Sequence, residues 1–274
     1  MLTIVIVSFN SARTLQVCQD ELLASGQFPI IVVDNASRDG SADMLSERYP
    51  HIRIIRMAHN EGYGRAANRA FAEVKTPYAF LLNPDMQATN DNIQAMLEFA
   101  LRHKGEASLF APAVVEKDYV KEGAASRAWL IGAALLFKMQ DFSEVGFFDE
   151  NIFLFSEETD LCRRLVVSGK QIYLNTDIYM HHLAGQSSTP NPKIDALKNW
   201  HFGWSKMYYL QKHGLVSGWW QPRRLCLGYA LKRMVAVHAD KRRQYAARFA
   251  GMRACLRGEG AFLPDGRAQG SAGL

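Results

Sequence analysis

The sequence predicts an α/β fold built on a mostly parallel sheet flanked by helices. Three observations carry that expectation. Short apolar runs alternate with helical patterns through about the first hundred residues, the rhythm of helices crossing over a parallel sheet. The runs are apolar throughout, as in strands buried on both faces. Polar residues then follow the runs directly, at Asp34, Asn60, Gly62, Asn83 and Asp85. In open α/β sheets ligands bind at the carboxyl ends of strands, so the polar residues stand where a ligand would sit.

Each element has its own signal. Leu2–Val7 is the first buried strand, and Asn10 and Ser11 offer caps for a helix to about Ala24. Ile30–Val33 is the second strand and ends at Asp34; Ser41–Arg48 is a short helix and Ile52–Ile55 a third strand. Gly64–Val74 is helical in pattern and is stopped by Thr76–Pro77. Tyr78–Leu82 is the fourth strand and runs into Asn83-Pro84-Asp85. Thr89 caps the next helix, with Ile93, Met96, Leu97 and Leu101 on one face and Gly105 as its stop. Gly132-Ala133 is expected in a later strand, where small residues permit close approach. Ser156 is a plausible cap for an amphipathic helix that holds Glu157, Glu158 and Asp160 and stops at Gly169.

Beyond Pro190 the pattern changes. Asp195–His213 reads as a helix carrying Trp200, Trp204, Tyr208 and Tyr209, and basic helices follow Trp219, Trp220 and Pro222 to about Arg257. Pro264–Leu274 is rich in Gly, Ala and Ser and reads as disordered. The expected organisation is an α/β domain over 1–190, a basic, Trp-containing helical extension over 191–260 and a disordered tail over 261–274.

Composition bounds the function. The 274 residues are 48% hydrophobic and 22% charged, which is ordinary for a globular chain. The net charge of +5 is unevenly spread. Between Lys198 and Arg257 thirteen bases face one acid, Asp240; that span holds +12 and leaves about −7 for the rest. The basic region could pack as a solvated helical pair, but basic residues interleaved with Trp and Tyr suit an anionic membrane surface, which is the favoured reading. No nucleic-acid-binding motif is visible, so nucleic acid is not an expected partner. The four cysteines, Cys18, Cys162, Cys226 and Cys255, form no C-x-x-C pair and suit a reducing compartment. No signal-peptide pattern opens the chain, and the best apolar run, Trp129–Phe137, is far short of a membrane span. The expected location is cytoplasmic, peripheral on the inner face of the cell membrane.

Several segments, taken in order, resemble glycosyltransferase family 2, whose members share the GT-A fold, a Rossmann-like sheet. They are Val5–Asn10 (VIVSFN), Val33–Ser41 (VDNASRDGS), Asn60–Asn68 (NEGYGRAAN) and Leu81–Asp85 (LLNPD). Gly146–Arg164 and His182–Ser188 are similar to the rhamnosyltransferase-like branch, and the resemblance spans roughly residues 1–215. It implies a nucleotide-sugar donor held by Ser8, Asn10, Asp34, Asn35, Asn60, Gly62, Gly64, Asn68, Asn83 and Gly132. Asn83-Pro84-Asp85 stands in the place of the family's Asp-x-Asp motif, with an amide for the first carboxylate. Asp85 is then the principal ligand of Mg²⁺ or Mn²⁺, and His182 the second, with His181 beside it as the other choice of register. The family has Glu-Asp where this chain has Glu157-Glu158; Glu158 is the expected base, and Glu157 the alternative or a substrate-orienting group. Phe148, Asp149 and Asp160 are expected on the side of the acceptor, a glycan or lipid-linked hydroxyl, with Asp160 alternatively supporting Arg163.

Each residue also has a plain physical reading. Asp34-Asn35 can simply begin a turn, or Asp34 can accept the N3–H of a uracil or thymine ring. Gly62 and Gly64 can be turn residues, or let the backbone approach a ribose or diphosphate. Acids in the first turn of a helix complement its dipole, and a carboxylate there can also take a hydroxyl proton. Phe147-Phe148 can pack the loop as a hydrophobic staple. The resemblance implies an inverting transfer, with dTDP-L-rhamnose as the expected donor and a UDP-sugar as the alternative. A nucleotidyltransferase and a non-catalytic sugar-nucleotide binder rank below both.

Overall fold

The computed structural model describes residues 2–183 and 192–271. The described chain divides into two compact units. The first comprises Met1–Asn60, Arg65–Phe148 and Glu158–Thr189, and the second Glu61–Gly64, Asp149–Glu157 and Pro190–Leu274.

The first unit is built on one eight-stranded sheet. In chain order its strands are β1 (Leu2–Ser8), β2 (Ile30–Asp34), β3 (Arg53–Arg56), β4 (Tyr78–Leu82), β5 (Ala107–Ala113), β6 (Ala124–Arg127), β7 (Ala134–Lys138) and β8 (Gln171–Tyr179). Across the sheet they lie in the order β3-β2-β1-β4-β7-β5-β8-β6. β1 pairs parallel with both β2 and β4, and β2 with β3, which makes the expected parallel half. β7 is the exception that shapes the site, because it runs antiparallel to both β4 and β5. β8 then pairs parallel with β5 and antiparallel with β6.

β1, β2 and β4 are buried at every position, which is why they read as apolar runs; β5 is equally buried, but its Ser108 and Pro112 hid it from the sequence reading. Their side chains merge with those of the flanking helices α1 (Ala12–Ser25), α2 (Ser41–Arg48) and α4 (Asn90–Arg102) in one core that includes Leu15, Leu22, Leu45, Phe80, Met96 and Phe110. Thr89 caps α4 as expected, its hydroxyl accepting the Asn92 N–H. Ser11 stands at the start of α1 without a side-chain cap, and the Asp39 carboxylate accepts the Ala12 N–H instead.

Several expectations need correction. α4 ends at Arg102, before Gly105, and Leu101 is 47% exposed; Phe99 and Ala100 take the buried positions instead. Helix α3 (Tyr63–Phe71) stops short of Val74, and a short α5 (Phe142–Val145) comes soon after β7. Gly132 lies in a turn just before β7 rather than in a strand. Ser156 has φ 68 and follows Phe155 at φ 66, so α6 (Glu157–Val167) is entered through two left-handed residues rather than an extended cap. Such conformations cost about 1–3 kcal/mol each and cluster at functional sites.

The second unit contains α7 (Pro192–Lys212), α8 (Trp220–Val235) and α9 (Ala239–Leu256) around Phe153, Trp204, Met207, Cys226 and Met252. α7 and α9 cross with backbones touching. A methyl group on Gly203 would stand 2.0 Å from the Arg248 carbonyl oxygen, and one on Gly251 2.0 Å from that of Trp200. Residues 264–271, expected to be disordered, instead fold back: Phe262 bridges to Ala268, Ala261 and Ala268 are buried, and His201 Nε2 lies 3.1 Å from the Gln269 carbonyl. Burial holds the His201 imidazole down at about 4, so it packs as a neutral ring.

Gly203→Ala and Gly251→Ala should each lower stability by about 2–3 kcal/mol in thermal or urea melts, although alanine is the better helix former. A neutral or stabilising result would contradict the α7–α9 contact.

Candidate active site

The parallel half of the sheet ends its strands on a row of polar side chains. Ser8 closes β1 directly opposite Asp34, the last residue of β2. Both are buried. Asp34 Oδ2 accepts the Ser37 N–H at 3.1 Å, which is the turn role foreseen for it. Its Oδ1 and the Ser8 hydroxyl are buried with no hydrogen-bond partner among the described residues. A buried carboxylate oxygen left this way calls for a donor. Asn35 Nδ2 donates to Asn60 Oδ1 at 3.0 Å, tying the ends of β2 and β3 together. Asn10 is held at φ 53; its Oδ1 accepts the Arg38 N–H and its own N–H meets the Ser37 hydroxyl.

The loop after β4 carries the acidic centre. Asn83 donates its N–H to the Ala133 carbonyl at 2.9 Å, and its own carbonyl accepts Gln19 Nε2 at 2.7 Å. Asp85 follows, buried. The chain beyond β8 lies antiparallel to this loop: Met86 bridges to His182, Leu183 N–H binds the Asp85 carbonyl and Gln87 N–H the His181 carbonyl. His182 Nε2 consequently stands 3.1 Å from Asp85 Oδ1, while His181 is exposed and turned toward Tyr179. The Gly/Ser-rich stretch over 184–188 that led to His182 lies outside the described residues.

The turn before β7 links this centre to α6. Gly132 has Glu158 against its Cα: a methyl built there would lie 3.3 Å from Glu158 Cβ and 3.4 Å from Cγ. The missing side chain makes room for Glu158, a reason different from the approach of a donor sugar. Glu158 is half-buried, and burial raises its carboxyl above the ordinary 4.5, against the backbone N–H groups of Glu158 and Thr159, which lower it. One turn on, burial pushes the Cys162 thiol up to about 12. His182, Asp85, Asn83, Ala133, Gly132 and Glu158 thus form one continuous run of contacts within the first unit.

Comparison with known proteins decides the family. The model described as Glycosyl transferase family 2 matches residues 3–164, more than half of the chain. The chain belongs to glycosyltransferase family 2. This glycosyltransferase is 26% identical, over 89% of its length and 95% of the relative's, to the N-acetylglucosaminyl-diphospho-decaprenol L-rhamnosyltransferase of Mycobacterium tuberculosis, strains CDC 1551 and H37Rv. Among solved structures it resembles the mannosyltransferase PcManGT from Pyrobaculum calidifontis in complex with GDP-Man and Mn²⁺. The TM-score is 0.57 and the identity 14%, with 93% of this chain and 86% of that one covered. It also resembles S. aureus TarS 1–349 in complex with UDP, at TM-score 0.58 and 12% identity, covering 99% and 97%. These likenesses establish the GT-A fold.

Other expected site residues of the glycosyltransferase are committed to its own structure. Gly62, at φ 84, is in the second unit, where a methyl group would meet the Phe153 carbonyl oxygen at 2.1 Å, so the chain's own backbone already requires a glycine there. Gly64 lies in the first turn of α3 (Tyr63–Phe71). The Asn68 amide clamps the Phe148 backbone, Nδ2 donating to its carbonyl at 2.9 Å and Oδ1 accepting its N–H at 3.1 Å. Phe148, expected at the acceptor border, is buried against Phe71 and Phe137, so the packing reading holds for it. Asp149 accepts from Lys212 Nζ at 2.7 Å and Tyr208 Oη at 2.9 Å. Burial alone would raise its carboxyl, but Lys212, the Asn151 N–H and Tyr208 outweigh burial and hold it low. Asp160 is fully buried and accepts Arg164 Nε at 2.7 Å, so it supports Arg164. Glu157 is buried in the second unit.

Two residues were missed. Gln19 fixes the Asn83 carbonyl and gave no signal, since it sits in a helix far along the chain from the loop it holds. Arg164 binds the carbonyls of Val145, Gly146 and Phe147 while paired to Asp160, and the i, i+4 spacing to Asp160 was visible.

Two outcomes follow from this geometry. Arg164→Ala removes the guanidinium from which the buried Asp160 accepts and should cost about 3–5 kcal/mol in a denaturant melt, where less than about 1 would contradict the role of the pair. The raised Glu158 carboxyl opposes folding once it ionises: its burden is absent below the unfolded value of 4.5 and grows as pH rises through the higher folded value. Glu158→Gln should therefore raise Tm by about 2–6 °C at neutral pH and lose that advantage near pH 4. Destabilisation at neutral pH would refute it.

Proposed function

We propose that the protein is an inverting, metal-dependent glycosyltransferase that moves L-rhamnose from dTDP-rhamnose to a hydroxyl of a lipid-linked glycan acceptor at the cytoplasmic face of the cell membrane. In this reading residues 1–190 bind the donor and perform the transfer, and 191–260 meet the membrane. The observation that carries it is the run of contacts from His182 and Asp85 to Glu158. A cation-binding pair and a carboxylate with a raised proton affinity stand on the two sides of one turn.

The donor set fits a divalent ion. Among the described residues no three His, Cys, Asp or Glu side chains form a cage, but Mg²⁺ and Mn²⁺ are commonly held by one or two protein ligands plus phosphate oxygens. Asp85 and His182, 3.1 Å apart, would hold it, and a bound ion supplies positive charge beside the leaving diphosphate. Asp34 Oδ1 accepts the N3–H of the pyrimidine, which supplies the donor that this buried atom lacks within the described chain. Glu158 takes the proton of the acceptor hydroxyl. The hydroxyl oxygen forms a bond to the anomeric carbon from the face opposite the diphosphate, and the carbon–oxygen bond to the diphosphate breaks with its electron pair leaving on the phosphate. A carboxyl raised toward neutrality is the stronger base for this step.

The name of the mycobacterial relative supports both the sugar and the lipid-linked acceptor. Uracil offers the same N3–H, so Asp34 leaves a UDP-sugar as the second reading. TarS 1–349 has been solved with UDP-GlcNAc.

Purified Asp85→Ala and Glu158→Gln should each lose at least about 10³-fold in turnover, on the scale of removing a catalytic group. Full activity in both would end the mechanism. A thermal-shift panel should give an Mn²⁺-dependent rise with dTDP-rhamnose and none with UDP-sugars. The reverse pattern would assign a UDP-sugar donor.

A further inference from the structure

α8 is apolar on two sides. Its inner side buries Pro222 and Cys226 in the core of the second unit. Its outer side carries Trp220, Leu227, Leu231, Met234 and Val235, which are between 48% and 78% exposed. At 3.6 residues per turn these five fall within an arc of about 100°, opposite the inner side. Scattered exposed hydrophobics need no explanation, but a stripe along a whole helix does. Trp219 precedes the stripe and Val237 follows it, both exposed.

The charge around the stripe selects its partner. Arg223 and Lys232 lie on its two flanks, Arg224 falls within its arc in the first turns, and Arg233 turns away from it near the helix end. Lys241, Arg242 and Arg243 are exposed at the start of α9. Asp240 is the single acid from Lys198 to Arg257. A protein partner that covers an apolar stripe need not be acidic all round it, whereas an anionic bilayer offers hydrocarbon beneath a uniformly negative headgroup layer. Two adjacent tryptophans at the entrance of the helix fit the interfacial layer, where aromatic rings prefer to sit. None of the described helices is long and apolar enough to cross a membrane, so the helix would lie on the surface.

We propose that α8 is a membrane-docking helix that sinks the Trp220, Leu227, Leu231, Met234 and Val235 stripe into the headgroup boundary of an anionic bilayer, with Arg223, Arg224 and Lys232 on the acidic headgroups. It deepens the membrane reading given above and depends on it. The helix adds adhesion, and takes no part in the chemistry.

The test is flotation of the full chain with vesicles of phosphatidylcholine alone or mixed with phosphatidylglycerol, for wild type and for Leu227→Gln/Leu231→Gln/Met234→Gln. The wild type should float with the mixed vesicles and not with the neutral ones. The triple variant should lose at least about tenfold in partitioning, keep its far-ultraviolet circular dichroism and Tm, and retain transfer to a water-soluble acceptor. A triple variant that floats like wild type would overturn α8 as the docking face while leaving the membrane reading standing. Failure of the wild type to float would overturn both. A wild-type dimer in analytical ultracentrifugation that the triple variant abolishes would make the stripe a self-association face and also overturn the proposal.

Discussion

The site depends on one strand that runs the wrong way for a parallel sheet. β7 is inserted antiparallel between β4 and β5, so its N-terminal turn arrives beside the loop that leaves β4. The Asn83 N–H is then satisfied by the Ala133 carbonyl, and Gly132 faces the first turn of α6. A parallel strand in that position would deliver its other end. Asp85 and Glu158, 73 residues apart in sequence, would then share no intermediary.

Burial does different work at the two ends of this arrangement. At Asp85 the carboxylate is taken out of water but set against an imidazole and fixed by the antiparallel bridge at Met86 and His182. At Glu158 burial raises the carboxyl's affinity for a proton, against the backbone N–H groups of Glu158 and Thr159, which lower it. The left-handed pair Phe155 and Ser156 at the entrance to α6 is local strain held next to the same residue.

Much of the first unit was legible because its signals are local. Unbroken apolar runs mark β1, β2 and β4, and Thr89 marks the start of α4. The family was legible from the order of short motifs, which neither periodicity nor composition could supply. What escaped the sequence was long-range. The direction of β7, the hold of Gln19 on Asn83 and the fold-back of residues 264–271 have no local signature. Gly62 and Gly132 were correctly singled out as glycines with a reason, but the reasons are a carbonyl of Phe153 and the side chain of Glu158. Phe148, Asn68, Asp149 and Asp160 also hold their own loops, a role that the motifs alone did not reveal.

The central claim is that Glu158, with its proton affinity raised by burial, accepts the acceptor's proton. The most direct measurement is the pH dependence of kcat/KM for the wild type and Glu158→Asp with a saturating divalent ion. The account predicts an acid limb whose midpoint lies above 4.5 in the wild type and moves in the aspartate variant. A rate that stays flat to pH 4.5, or a limb that Glu158→Asp leaves in place, would contradict it.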